Sequence, residues 1–502
     1  MWYHQALAAV LLLLEICVVY ALGLAIYRLY VHPLRKTPGP WHFAVSGLPL
    51  VIENQLKGRF VKTVLQLHEK YGDIVRTGPN SLSINGTIGW SEVFGFGRSN
   101  QPEFSHYDDF YQIGDKSNLS IFPSDRESHR RQRRILAHAF SDAAIKEQEA
   151  LIMQYVDKLF VHLRKDAAQH QPTDMVKWFN FTTFDIIGDL AFGEPFDCLE
   201  NSDYHPWVAM IFLGLKGNTQ MLALLKMPAL SWILRLVISK ENMQKRLESK
   251  AMTDKKVEKR LALGSAPNGR KDFMTYILRH NDEKGMSHQE ILGNSEALIV
   301  AGSETTASAL SGLTYYITTN PQALERLQHE IRTAFSTEKE ITMLSTAHLK
   351  YLTACIEEAL RVYPPAPETP PRVSPGEYVN GYYIPKGTLI TIFQWAVYHN
   401  PNNFVQPDAF IPERWLSPNH PFHDPQFNAD KKAAFQPFSF GPRNCIGKNL
   451  AYNELRLIAA RLFWNFDFVL QPESQGWPDK QKAFTVWEKI PLFVQLKQVE
   501  RD

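Results

Sequence analysis

The sequence is short of cysteine. Its four cysteines (Cys17, Cys198, Cys355 and Cys445) stand far apart in 502 residues, and none forms a C-x-x-C pair. That argues against a zinc ribbon, a thioredoxin-type site and a disulfide framework, and the lack of C-x-x-C-H argues against thioether attachment of a haem. No G-x-G-x-x-G stretch follows a strand pattern, so a built-in dinucleotide domain is not expected, and there is no room for an appended flavin domain. A net charge of +2 points neither to nucleic acid nor to an acidic, solvated chain. Length alone suggests about three domains. No repeat, low-complexity tract or linker divides the chain, however, and 44% hydrophobic with 21% charged residues is globular composition. The expected division is an N-terminal anchor (1–27), a proline-rich hinge (28–41) and one body (42–502).

What is present begins with an apolar run from Ala6 to Ile26, broken only by Glu15. It is long enough to cross a bilayer. It is too long for a cleaved signal peptide, and Arg28, Arg35 and Lys36 follow it rather than precede it. By the positive-inside rule these charges and the bulk of the chain stay cytosolic. Glu15 at mid-membrane costs about 3 kcal/mol, which a partner chain could offset. Sequons at Asn85, Asn118 and Asn180 are expected to stay bare in this topology. The dense prolines of His32–Pro40 predict a stiff, extended hinge that orients the body against the membrane.

Phe438–Gly447 encloses Cys445 in a loop, and a helical pattern follows from Lys448 toward Asn465. A lone cysteine there can be a nucleophile, a metal ligand or buried filler. Gly441 and Gly447 permit backbone angles and close approaches barred to other residues, and Pro442 stiffens the turn. The following helix N-terminus favours a thiolate, and Arg443 adds fixed positive charge. Such surroundings suit an anionic sulfur bonded to something flat and close. Phe438-x-x-Gly441-x-Arg443-x-Cys445-x-Gly447 resembles the haem-binding signature of the cytochrome P-450 superfamily. At roughly 5% usage per residue type, five fixed positions recur by chance about once in a few million starts.

Ser287 and Glu290 form a capping-box pattern, and helical periodicity then runs to Asn320-Pro321. Such a helix, about 48 Å long at 1.5 Å per residue, has to cross the whole molecule. Midway lies Ala301-Gly302-Ser303-Glu304-Thr305-Thr306, poor helix material flanked by apolar turns. It resembles the family's oxygen-activation motif. The resemblance implies that Ala301 and Gly302 leave room for haem and dioxygen. It gives Thr305 a hydrogen bond to the oxygen being activated and Glu304 a part in relaying protons from solvent.

Other motifs follow in the family's order. Arg126–Arg134 resembles the helix carrying W-x-x-x-R, with His129 in place of Trp and Arg133 matching the propionate-binding Arg. The remaining arginines of that run could face an acidic redox partner. Glu358 and Arg361 share a helix face, and in the family this pair is buried and locked by a third residue, here Arg414 of Phe410–Trp415. Arg372 and Arg443 are further propionate candidates. The resemblance implies that Phe104–Phe122 roofs the substrate pocket and that the turn at Phe484–Trp487 enters it; the apolar stretch Met210–Ile238 reads either as buried core or, by the resemblance, as a pocket cap that dips into the membrane.

The resemblance implies a mainly α fold with a small β-region and one N-terminal transmembrane helix. It implies haem b with Cys445 as iron ligand and Phe438 shielding the sulfur, O2 as co-substrate, and NADPH electrons delivered by a separate cytochrome P-450 reductase. It places the chain in the endoplasmic reticulum membrane, acting on a lipophilic small molecule. Tyr27–Leu34, Gly302–Thr306 and Phe435–Tyr452 are similar to fungal enzymes of specialised metabolism, including trichothecene- and polyketide-tailoring hydroxylases. The implied reaction is hydroxylation or epoxidation of a terpenoid, polyketide or alkaloid. A benzoate-type detoxifying hydroxylase and a non-enzymatic haem protein are the competing readings. A rearranging or peroxide-using member is disfavoured, because such enzymes usually lose the acid–Thr pair.

Overall fold

A computed structural model describes residues 2–96, 102–111, 119–208, 217, 219, 221–223, 240–265 and 269–501. The chain opens with helix α1 (Trp2–Ile26), which buries no residue against the body. Together with the π-helical turn Tyr27–Val31 it forms 30 residues containing an 18-residue window of mean hydropathy 2.6, long and apolar enough to span a membrane. The hinge departs from a fully extended path. Pro33–Lys36 is a turn of 3-10 helix, with the His32 ring accepting from the Leu34 N–H. A proline at the first helical position forfeits no hydrogen bond and presets φ, so Pro33 starts a turn that the density of prolines seemed to forbid. Arg76 ties this hinge to the body, donating to the carbonyls of Arg28 and Leu34 at 3.0 and 3.4 Å.

The body is mainly α. Its principal helices are α2 (Phe60–Tyr71), α3 (Arg126–Leu136), α4 (Asp142–Ala168), α5 (Met175–Phe192), α6 (Lys240–Leu261), α7 (His288–Thr318), α8 (Pro321–Ala334), α9 (Lys350–Val362) and α10 (Lys448–Asn465). Asp125 starts α3 by accepting from the Glu127 and Ser128 N–H groups, and Asp174 does the same for α5. α5 is buried everywhere except at Lys177, as a core helix has to be, and its buried polar residues are hydrogen-bonded, Asp185 accepting from the Phe196, Cys198 and Leu199 N–H groups. α7 carries both halves of its capping box, ends at Thr318 before Pro321, and lies between α5, α9 and α10.

The strands are β1 (Ile74–Gly78), β2 (Ser81–Ile84), β3 (Ser105–His106), β4 (Pro172–Asp174), β5 (Arg372–Val373), β6 (Glu377–Val379), β7 (Tyr382–Ile384), β8 (Leu389–Thr391), β9 (Phe466–Leu470), β10 (Lys482–Phe484), β11 (Val486–Glu488) and β12 (Phe493–Gln498). They form a sheet in the order β1-β2-β8-β5-β3, a second in the order β4-β12-β9, and the hairpins β6-β7 and β10-β11. The first sheet sets Arg372 opposite His106. In β10-β11 the turn residue Thr485 has φ +71°. Two sequon asparagines are structural. Asn85 is buried and bonds Asp73 and Asn403, and Asn180 is buried on α5 and bonds Tyr204. Asn118 lies outside the described residues, as does nearly all of Met210–Ile238, including Leu213, Leu225, Trp232 and Leu236.

Candidate active site

The Cys445 loop is built from the scaffold outward. Glu358 on α9 accepts from Arg361 at 2.7 and 2.9 Å, from Arg414 at 3.0 Å, from the Ile411 N–H at 2.8 Å and from the Trp415 indole at 2.8 Å. Arg414 turns its other nitrogen to Asp430 at 2.6 Å, and the four charged side chains are sealed from solvent. Two carboxylates and two guanidiniums cancel, and Arg361 spends its remaining donors on the carbonyls of Tyr398, Pro407 and Ala409. Burial would push the Glu358 carboxyl up, but Arg361 and Arg414 more than reverse this and hold it ionised. The network fixes the segment that leads into the loop, where Gln436 receives hydrogen bonds from Gln394 and gives one to Tyr398.

Within the loop, the Cys445 N–H donates to the Phe438 carbonyl at 2.9 Å. Gly441 has φ +78°, and a Cβ there would lie 2.0 Å from the Phe94 carbonyl oxygen, so glycine is obligatory. Gly447 is different: a Cβ would meet protein only at ordinary distances, the nearest being a Phe140 carbon at 3.8 Å and Cys445 Sγ at 4.0 Å. No protein contact demands a glycine there. Cys445 keeps accessible surface although protein surrounds it on every side, as a side chain facing an internal cleft does. Burial pushes its thiol up, while the Gly447 N–H, Arg133 and Lys448 pull the other way. The thiolate-favouring neighbours are therefore in place, and without a metal burial outweighs them.

Beside this loop a positive cluster forms. His129 on α3 is buried, and burial together with Arg443, Arg133 and Arg372 pushes its pKa down to about 3, so it is neutral. Arg133 donates to the Asn444 carbonyl at 2.7 Å and to its side-chain oxygen, which clamps α3 onto the cysteine loop. Arg443 reaches Glu103 only at 3.5 Å. Arg372 is buried against the Phe94 ring, and its Nε has no partner among the described residues. A buried guanidinium nitrogen left without an acceptor is costly. An accessible thiol in an enclosed cleft, with a cluster of arginines beside it, fits a flat ligand that carries carboxylates, and so fits haem.

The Ala301–Thr306 segment lies on α7, which packs against α10, the helix that follows the cysteine loop. Ala301 and Gly302 are half-buried, and Thr305 donates to the Ala301 carbonyl at 2.6 Å. Gly302 also lets α7 pack closely on α5: a Cβ there would lie 2.8 Å from Ile187 Cδ1, so the Ile187 side chain would have to move. Glu304 lies deep in the protein, away from solvent. It forms a buried ion pair with Lys489, beyond β11, and Ser308 holds both partners, donating to Glu304 at 3.3 Å and accepting from Lys489 at 2.8 Å. Glu304 Oε2 has no partner among the described residues. Glu454 on α10 is also buried; burial pushes its carboxyl up to about 8, partly offset by a hydrogen bond with Thr306. Motif reading gives neither Lys489 nor Glu454. The signal for Glu454 is a lone acid between Leu450 and Leu457 on one helix face; Lys489 has no local signal.

A cavity of about 210 Å³ brings together the segments placed around the pocket from sequence. Its wall includes Phe110, Tyr111, Leu222 and Thr485, with Gln55 from the N-terminal part of the body and Pro371 beside Arg372.

This arrangement fits a haem-thiolate site, and the comparisons give the family. The cytochrome P450 family model matches residues 37–495, and the chain belongs to that family. A cytochrome P450 monooxygenase of Aspergillus oryzae is 40% identical over 482 residues, covering 95% of each chain. One of Talaromyces wortmannii is 41% identical over 488 residues, covering 97% of this chain and 96% of its own. A trichothecene C-15 hydroxylase of Fusarium sporotrichioides is 40% identical over 483 residues, covering 95% and 96%. The chain is a haem-dependent monooxygenase that uses O2 and electrons from a redox partner, and its N-terminal helix fits a membrane anchor.

Proposed function

We propose that this monooxygenase hydroxylates or epoxidises a lipophilic intermediate of a fungal biosynthetic pathway, of the terpenoid, polyketide or alkaloid class. The observation that carries the reading is the Cys445 loop, whose accessible thiol is enclosed by protein and has Arg133, Arg372 and Arg443 close by. The similarity to a trichothecene hydroxylase supports the substrate class.

Bound haem b supplies oxygen activation, and a thiolate ligand pushes electron density toward the iron. The residues of this chain supply the rest. Cys445 would be the ligand, with Phe438 shielding it and Gly447 leaving the approach clear. Arg133, Arg372 and Arg443 would neutralise the two propionates, which gives the Arg372 Nε an acceptor. Thr305 would turn its hydroxyl from the Ala301 carbonyl into the cleft, beside Ala301. Glu304 would hold and pass the proton, with Ser308 and Lys489 fixing its carboxylate. Electrons would come from an NADPH-dependent cytochrome P450 reductase, and the anchor would place the body on the cytosolic side of the endoplasmic reticulum.

The test has two parts. The reduced, CO-bound protein is expected to show a Soret band at the thiolate position, and Cys445→His to lose it; retention in Cys445→His refutes the ligand assignment. A deletion strain is expected to accumulate the substrate. An unchanged metabolite profile refutes the pathway reading, and turnover of simple benzoates in its place would favour the detoxifying one.

A further inference from the structure

The cavity wall is uneven in chemistry. Leu50, Phe110, Leu222, Pro371 and Phe393 make one part of it apolar, while Gln55, Asn54 and Glu368 make another part polar. Gln55 is only 3% exposed, and its carboxamide oxygen accepts no hydrogen bond from the described residues. Glu368 is likewise buried and accepts from the Asn54 amide at 3.1 Å. The hydroxyls of Thr77 and Ser81 line the same cavity. A buried acceptor without a donor costs the free protein stability, and an apolar residue of similar size would fill the position without that cost. A ligand that brings a donor to this wall would pair the Gln55 oxygen.

We infer that the molecule oxidised here already carries a hydroxyl group, which donates to the Gln55 carboxamide beside Glu368 while the apolar skeleton lies along Leu50, Phe110 and Leu222. The substrate is then an oxygenated intermediate rather than a bare hydrocarbon, and an oxygen-installing reaction precedes this one. A site built to pair a substrate hydroxyl discriminates against the analogue that lacks it far more strongly than an apolar pocket discriminates by size. The inference rests on the reading of this cavity as the substrate site.

The test uses the full-length holoprotein and follows ligand binding by displacement of the Soret band. The probes are farnesol against farnesyl methyl ether, and 4-phenylphenol against 4-methoxybiphenyl; each ether keeps the oxygen and replaces the donor hydrogen by a methyl, and the Gln55 variants separate the donor from the added size. In the wild type at least one alcohol is expected to bind about tenfold tighter than its ether, one hydrogen bond's worth. Gln55→Leu is expected to bring the two within about twofold and to raise the thermal midpoint, because the unpartnered acceptor is gone. Gln55→Ala, which cannot overfill the site, is expected to lose the same preference. Equal affinities in the wild type, no binding of either alcohol, or a preference unchanged in both variants would overturn the inference. In those cases a retained thiolate Soret band leaves the monooxygenase reading standing. Loss of that band in the wild type would sink both.

Discussion

Replacing Lys489 by Met would remove half of an ion pair sealed inside the protein, where the side chains of Lys489 and Glu304 are each 3% exposed. At about 3 Å and an effective dielectric of about 20, their attraction is about 5 kcal/mol. That roughly balances the cost of taking both charges out of water, so the intact pair adds little net stability. Either charge alone loses the balance. We expect Lys489→Met and Glu304→Gln each to cost about 3–5 kcal/mol, a large part of the about 5–15 kcal/mol typical of a folded domain. The double variant should cost much less than their sum, with a coupling of about 3 kcal/mol or less. The assay is urea denaturation of the holoprotein followed by loss of the thiolate Soret band. The pH dependence has a definite sign. Burial pulls the Lys489 pKa below its ordinary value, so over the window between the two values the folded state binds fewer protons and stability rises with pH. Without Glu304 to stabilise the ammonium, that window widens downward, and the Glu304→Gln deficit should shrink as pH rises toward the ordinary lysine value. Single-variant costs that add within about 0.5 kcal/mol would refute the coupling.

The Glu454 carboxyl, raised from 4.5 to about 8, keeps a proton that the unfolded chain has lost between those values. Stability should therefore fall with rising pH there, by up to about 1.4 kcal/mol per pH unit, and Glu454→Gln should flatten the slope; equal slopes in denaturation series would contradict this. Glu358→Ala strands Arg361 and Arg414 in a sealed site and should cost about 3–5 kcal/mol, seen as loss of the thiolate band on CO binding; a normal spectrum and midpoint would argue against the scaffold. Gly441→Ala places a methyl 2.0 Å from the Phe94 carbonyl oxygen and should yield no haem-loaded protein. Gly302→Ala should be rescued in part by Ile187→Ala, since the clash is with Ile187; absence of rescue in thermal midpoints would return the glycine to the cleft.

Much of the fold was legible because its signals are local. The capping box at Ser287 and Glu290, the break at Pro321 and the helix from Lys448 to Asn465 each depend on neighbours within a few residues. The cysteine loop was legible because its constraints are packed into ten positions. What escaped is long-range. Asp430 completes the Glu358 network from 72 positions away (430 minus 358), and Lys489 meets Glu304 across 185 positions. Nothing near either residue announces its partner. Gly302 shows another limit: its small size was visible in the sequence, but the neighbour it packs against, Ile187, belongs to a different helix. The turn at Pro33 escaped because proline both ends helices and begins them.

Asn85 and Asn180 have a consequence for production in a eukaryotic host. Both amides are committed to internal hydrogen bonds in the core, so an oligosaccharide could be attached only to a chain not yet folded. The added sugar would then block closure of the β1–β2 region or of α5. Sugar mapped to Asn85 or Asn180 would mark molecules that had failed to close around these asparagines.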